Sequence, residues 1–117
     1  MISSIHSSLS ALHAFEKKQE SIADNTANVN TDGFKKTRVT FQSESVGTVA
    51  PQISKVDSDG PMVYEQTADG YLPVEKSNVE IAEEIPRAMV NTRSYEANLK
   101  TIQTADEMMG SLLDVRG

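Results

Sequence analysis

Along the last third of the chain, Ile85, Ala88, Thr92, Tyr95, Leu99, Ile102, Asp106, Met109 and Leu113 recur at alternating intervals of three and four. Seven of these nine are apolar or aromatic, so the spacing predicts one stripe of a long helix over residues 77–116. At about 1.5 Å per residue such a helix approaches 60 Å, longer than a domain of this size is wide. It needs partners along its length. The segment opens Ser77-Asn78-Val79-Glu80, which fits a capping box in which the Ser77 hydroxyl accepts from the Glu80 N–H. Glu80, Glu83 and Glu84 then load the first turns with the negative charge that a helix N-terminus favours. Pro86 interrupts the pattern and predicts a kink or restart, with residues 77–85 as an irregular first segment.

A second, weaker stripe runs from Ser3 to about Asn28 through Ile5, Leu9, Leu12, Phe15, Ile22 and Ala23, with Glu16, Lys17, Lys18 and Glu20 on a solvated face. Rich in Ser, Asn and His, this helix is marginal by itself and is expected to order against a partner, the C-terminal helix first. Asn25, Asn28 and Asn30 punctuate its end, and Thr31-Asp32-Gly33 makes a turn beside Phe34. Asn as terminator and Phe as ordinary packing explain these residues without a function.

Between the helices the period changes to two. Residues 37–42 alternate as a strand, with Val39 and Phe41 on one side, and weaker strand patterns cover 47–50, 52–56, 61–65 and 71–74. Pro51, Asp57-Ser58-Asp59-Gly60-Pro61, Asp69-Gly70 and Pro73 signal turns. So small a β unit must lean on a helix or a neighbouring chain. The expected fold is α+β and mainly α. Long N- and C-terminal helices (1–36, including the Asn-rich turn, and 77–117) pair in a coiled-coil-like bundle around a small β insert (37–76), as one structural unit.

Composition narrows the function. A chain of 117 residues supports one domain. A net charge of −6 argues against nucleic acid, which requires clustered Lys and Arg. No apolar run is long enough for membrane insertion, and the start of the chain lacks the basic and apolar regions of a Sec signal peptide. The chain has no cysteine, which removes disulfides and thiolate chemistry. His6 and His13, seven apart, lack a third ligand for a metal. Glu83-Glu84 and Asp106-Glu107 read as solvated charge rather than acid/base pairs. No nucleophile elbow, phosphate loop or complete calcium loop is present; Asp57-Ser58-Asp59-Gly60 is only a fragment of the last. The residues therefore predict no enzyme, no cofactor, no metal and no small-molecule substrate. Met108-Met109 and Leu112-Leu113 carry more apolar surface than one seam uses, as in a helix with more than one neighbour, although a Met filling gaps within its own subunit explains them as well.

Two terminal segments carry a resemblance. Ser7-Ser8-Leu9-Ser10-Ala11, followed by Ile22-Ala23-Asp24-Asn25-Thr26-Ala27-Asn28-Val29-Asn30-Thr31-Asp32-Gly33-Phe34-Lys35, forms the first. The second joins Asn78-Val79-Glu80-Ile81-Ala82-Glu83-Glu84, Arg93-Ser94-Tyr95-Glu96-Ala97-Asn98-Leu99-Lys100 and Thr104-Ala105-Asp106-Glu107-Met108. Together they resemble the bacterial flagellar axial proteins, in particular the basal-body rod proteins, and the insert is most similar to that of the C-type proximal rod protein. The resemblance implies a structural subunit passed through the flagellar export apparatus without a Sec signal. Such a subunit polymerises through its terminal helices into the torque-transmitting periplasmic rod. Its partners would be copies of itself and other rod proteins. Buried amides at Asn25, Asn28 and Asn30 would then fix register between subunits. The expected assembly contacts are Ile5, Leu9, Leu12, Ile22, Asn25, Asn28, Phe34, Tyr95, Leu99, Ile102, Met109 and Leu113. The rival reading is a soluble helical adaptor or export-chaperone-like module binding its partner through the same stripe.

Overall fold

The computed structural model describes residues 2–44 and 47–116. Its elements run α1 (Ile2–Ala27), β1 (Thr37–Ser43), β2 (Val49–Lys55), β3 (Met62–Thr67), β4 (Gly70–Glu75) and α2 (Ile81–Arg116). The fold is α+β and mainly helical, with two long paired helices and four short strands between them. The pairing is antiparallel, because Glu84 near the start of α2 meets Asn25 near the end of α1, and Asn91 meets Phe15 and Gln19 further back. The molecule is a rod itself, 81 × 24 × 18 Å.

The strands form two separate antiparallel hairpins. Hairpin β1–β2 runs back along α1: Thr37 Oγ1 lies 2.6 Å from Ser21 Oγ, and the Val49 N–H donates to Ser10 Oγ at 3.2 Å. Phe41 meets Phe15 edge-on at 5.1 Å between centroids, with the Lys18 ammonium over its ring. Helix α1 is thus covered by α2 on one side and by this ribbon on the other, which buries Leu12, Ala14 and Ile22. The second hairpin behaves differently. Every residue of β3, and β4 up to Pro73, is exposed.

Several local expectations are corrected. The strands expected at 47–50 and 52–56 are one strand, β2, which passes through Pro51 opposite Phe41. Pro73 likewise sits inside β4 opposite Tyr64. In a two-stranded ribbon each strand has a free edge, and there a missing N–H costs no ladder bond. Nor does Pro86 restart α2, which runs through it from Ile81. Proline is the sixth residue of the helix, so one donor is lost beside the exposed Ala82. The capping box does not form: Ser77 Oγ accepts from the Val79 N–H at 3.2 Å, and the first helical bonds go to the Glu80 carbonyl, from Glu83 at 2.9 Å and Glu84 at 3.1 Å. Ser77 is buried beneath the turn at Gly60, where a Cβ would collide with the Lys76 carbonyl.

Candidate assembly surface and the polar clasp behind it

Where the chain crosses from α1 to the insert and back to α2, the backbone needs partners that no strand supplies, and asparagines provide them. Asn25, 1% exposed, accepts from the Thr37 N–H at 2.8 Å and donates to the Thr37 carbonyl at 2.9 Å, as a neighbouring strand would. Its amide also donates to Glu84 Oε2 at 3.3 Å. Asn78 accepts from the Lys36 N–H at 2.7 Å and donates to the carbonyls of Val56 and Ser58 at 2.9 and 2.8 Å.

Charge closes the same region. The Glu84 side chain is fully buried, and Arg38 reaches it from β1, with Nη1 at 2.7 Å from Oε1 and Nη2 at 2.9 Å from Glu83 Oε2. Lys36 and Arg87 also reach Glu83, at 3.2 and 3.6 Å. The Lys36 ammonium bonded to Glu83 holds that carboxyl below its ordinary range, with Arg87 and Arg38 adding to the effect. Below the clasp, the hydrogen bond to Glu75 raises Lys35 and lowers Glu75, whose carboxylate also accepts from the Gly60 N–H at 2.9 Å. Asp32 and Glu65 raise Lys76. Glu84, expected to be solvated, is the largest fully buried side chain; Arg38 and Asn25 make that burial tolerable.

The residues expected to make assembly contacts divide into buried, half-buried and exposed sets. Leu12, Ile22 and Asn25 are buried inside the chain. Asn28 serves the turn, donating to the Asp24 carbonyl at 2.9 Å and accepting from Thr31 Oγ1 at 3.0 Å. Phe34 is half-buried, and its carbonyl accepts from the Asn78 N–H at 3.2 Å. Ile5 and Ile102 are half-buried near the open end of the helix pair. Leu9, Tyr95, Leu99, Met109 and Leu113 are exposed. A groove of about 520 Å³ beside Leu9 and Tyr95 also takes in His6 and His13, both exposed.

The division follows from which face of α2 meets α1. The row Glu84, Asn91, Ala105 is buried, whereas Ile85, Thr92, Leu99, Asp106 and Leu113 form an exposed flank one residue over. Ala88, Tyr95, Ile102 and Met109 run between the two rows. The seam chosen by hydrophobicity is therefore half the seam used inside the chain. Asn91, 3% exposed, donates to the Phe15 carbonyl and to Gln19 Oε1, each at 2.9 Å, while its own Oδ1 has no partner among the described residues. Sequence reasoning missed Glu84, Arg38, Asn78 and Asn91 as structural residues, although Glu84 and Asn78 lay inside the quoted C-terminal motif. No described helix is long and apolar enough to cross a membrane.

The two terminal motifs meet at this clasp, and family comparison singles out the same two parts of the chain. Residues 5–35 match the model described as flagella basal body rod protein, and residues 68–115 match that described as flagellar basal body rod FlgEFG protein C-terminal. The chain belongs to the flagellar basal-body rod protein family. Among relatives of this family, a rod protein FlgG of Buchnera aphidicola is 36% identical over 84 residues, 72% of this chain and 30% of the relative. A FlgG of Bacillus subtilis is 46% identical over 50 residues, 43% and 19% of the two chains. A FlgF of Mesorhizobium japonicum is 41% identical over 58 residues, 50% and 24%. The chain thus spans less than a third of the length of these relatives. Their names are of the G and F types, so they support the rod family as a whole rather than the C type. Neither family model reaches residues 36–67, which hold β1, β2 and β3.

Proposed function

We propose that this rod-family chain is a non-enzymatic structural subunit that polymerises through its terminal helices, with copies of itself and other rod proteins, into the torque-transmitting shaft of the flagellum. The observation that carries the reading is the exposed flank of α2: Ile85, Leu99 and Leu113 are 53%, 51% and 74% exposed on a helix already paired on another face. Apolar residues at helical spacing on a solvated flank suit a further helix. In this reading the clasp makes each subunit one stiff lever and the α2 flank joins the levers. The subunit reaches the periplasm through the flagellar export apparatus.

Leu99→Asp tests this. It places a carboxylate on the flank without touching the clasp, so the protein should fold with unchanged helicity yet fail to enter rods, leaving cells non-motile. Normal motility with that substitution would refute the assembly role of the flank. A soluble adaptor would instead form a complex of small, fixed stoichiometry at every concentration.

A further inference from the structure

The buried amide of Asn91 is only half used. Its Nδ2 donates to the Phe15 carbonyl and to Gln19 Oε1, and a backbone carbonyl only accepts, so the amide cannot be turned over. That leaves Oδ1, on a residue 3% exposed, as an acceptor with no donor among the described residues. Buried acceptors are matched in the great majority of cases, so this one calls for a partner. Asn91 lines a cavity of about 300 Å³ between α1 and α2, together with Phe15, Glu16, Gln19, Thr92 and Tyr95.

What the lining offers is one-sided. Glu16 supplies its one formal charge, a carboxylate that meets the exposed His13 at 3.4 Å. Thr92 Oγ1 donates to the Ala88 carbonyl at 2.9 Å and keeps its lone pairs for an incoming donor. Phe15 and Tyr95 add aromatic surface, and no Lys or Arg is in the lining. An unmatched amide oxygen, a carboxylate and aromatic rings together suit a guanidinium, which has five N–H donors, no acceptor and a flat face that stacks on rings. The cavity also adjoins the apolar flank on which the assembly reading rests, because Thr92 lies on both. Through Glu16 and Tyr95 it runs on into the larger groove at Leu9 and Leu12. A helix laid along the flank therefore meets an apolar groove and, beside it, a socket for one basic side chain.

Among the arginines of the chain, Arg38 and Arg87 are held in the clasp. Arg93 is not. It lies nine residues after Glu84, two and a half turns, and so stands on the opposite face of α2. Its side chain is 83% exposed, and its bond is to Glu96 on the same helix at 2.9 Å, a surface pair that contributes little. Met89, Val90 and Ala97 surround it, with Met89 and Val90 66% and 64% exposed. Arg93 is thus a free cation set in an apolar face, the complement of a carboxylate set in an apolar groove.

Deepening the reading of the chain as an assembling subunit, and resting on it, we propose that the cavity at Asn91 binds the Arg93 guanidinium of a second copy. Glu16 pairs its charge, Asn91 Oδ1 accepts one of its N–H groups, and Tyr95 stacks on it. Socket and arginine lie on different faces of α2, so the contact joins unlike patches and repeats from copy to copy.

Charge exchange in the full chain tests this by sedimentation equilibrium. Glu16→Arg and Arg93→Glu fall at exposed positions, so each variant should keep the circular dichroism of the unaltered protein. Each alone should weaken self-association about tenfold or more, as expected for a lost charge-assisted hydrogen bond. The two together in one chain should recover most of that loss, because socket and arginine are then exchanged in every copy. Lys100→Glu, an equal change of charge elsewhere on α2, should leave association unchanged. A small probe reads the cavity without assembly. N-acetyl-arginine methylamide added to the dilute protein should shift the Asn91 side-chain amide and Tyr95 ring resonances saturably, its uncharged citrulline counterpart should not, and Glu16→Arg should abolish the response. A double variant no stronger than the single ones, a Lys100→Glu protein weakened as much, a response no larger for arginine than for citrulline, or a protein monomeric at every concentration overturns this contact. None of these results touches the outcome of Leu99→Asp on motility, so the contact and the assembly role of the flank fail separately.

Discussion

Replacing Asn25 by Ala separates a role inside the chain from one between subunits. The side chain is 1% exposed and makes one hydrogen bond to the Thr37 N–H, one to the Thr37 carbonyl and one to Glu84 Oε2. Each buried group left without its partner costs about 1–3 kcal/mol. Thr37 is only half-buried, so water recovers part of that loss at the backbone, while the buried Glu84 carboxylate keeps Arg38. The net expectation is about 2–4 kcal/mol. Domains of this kind have only about 5–15 kcal/mol in total, and each kcal/mol moves Tm by roughly 3–6 °C at this size, so Tm should fall by about 10 °C. Thermal unfolding of the dilute protein reads it, with Asn28→Ala as control. Asn28 bonds only within its exposed turn, and its loss should cost under about 1 kcal/mol. An Asn25→Ala protein as stable as the control when dilute, but weakened only where subunits associate, would refute the clasp and restore Asn25 to the interface.

Removing the other half of the clasp with Glu84→Ala leaves Arg38 facing a buried gap; urea unfolding should show a loss of about 3 kcal/mol, and less than about 1 would contradict the buried pair. Two glycines should respond in opposite directions to Ala. Gly110→Ala meets nothing within 4 Å inside α2 and should stabilise by about 0.5–1 kcal/mol, whereas Gly60→Ala collides with the Lys76 backbone and should destabilise. Circular dichroism melts decide both. Stability should also depend on pH at both extremes. Glu83 and Glu75 are lowered, so their contribution is complete above the ordinary glutamate value of about 4.5 and is lost as pH falls through their folded-state values. Lys35 and Lys76 are raised, so theirs is complete below about 10.5 and lost as pH rises through the folded-state values. The urea midpoint measured across pH checks this, and a midpoint that climbs on acidification below about 4.5 would contradict it.

The helices and the strand periodicity were legible because they rest on local pattern. α1 runs Ile2–Ala27 against an expected 3–28, and β1 begins at Thr37 as its alternation requires. What escaped was pairing. Hydrophobicity selects Ile85, Leu99 and Leu113 as the inner row of α2, yet the row that meets α1 holds Glu84 and Asn91, polar residues whose burial makes sense only beside Arg38, Asn25 and Gln19, 46 to 72 positions away in sequence for the bonds that join them across the helices. Pro51 and Pro86 misled for a related reason. Each breaks a regular element only where its N–H would have had a partner, and neither a ribbon edge nor the exposed second turn of a helix provides a structure dependent on one. Asn25, expected at an assembly contact because of its place in the motif, bonds within the chain to Thr37 and Glu84, partners that no local pattern names.

Amide hydrogen exchange on the protein free at low concentration and then assembled tests the central claim most directly. The clasp amides of Thr37 and Lys36 should be protected in both states, because their partners Asn25 and Asn78 lie in the same chain. The end of α2 beyond Ala105 should exchange fast when free and become protected on assembly. Protection of that region that does not change on assembly, or a clasp that is protected only in the assembled state, would contradict the account.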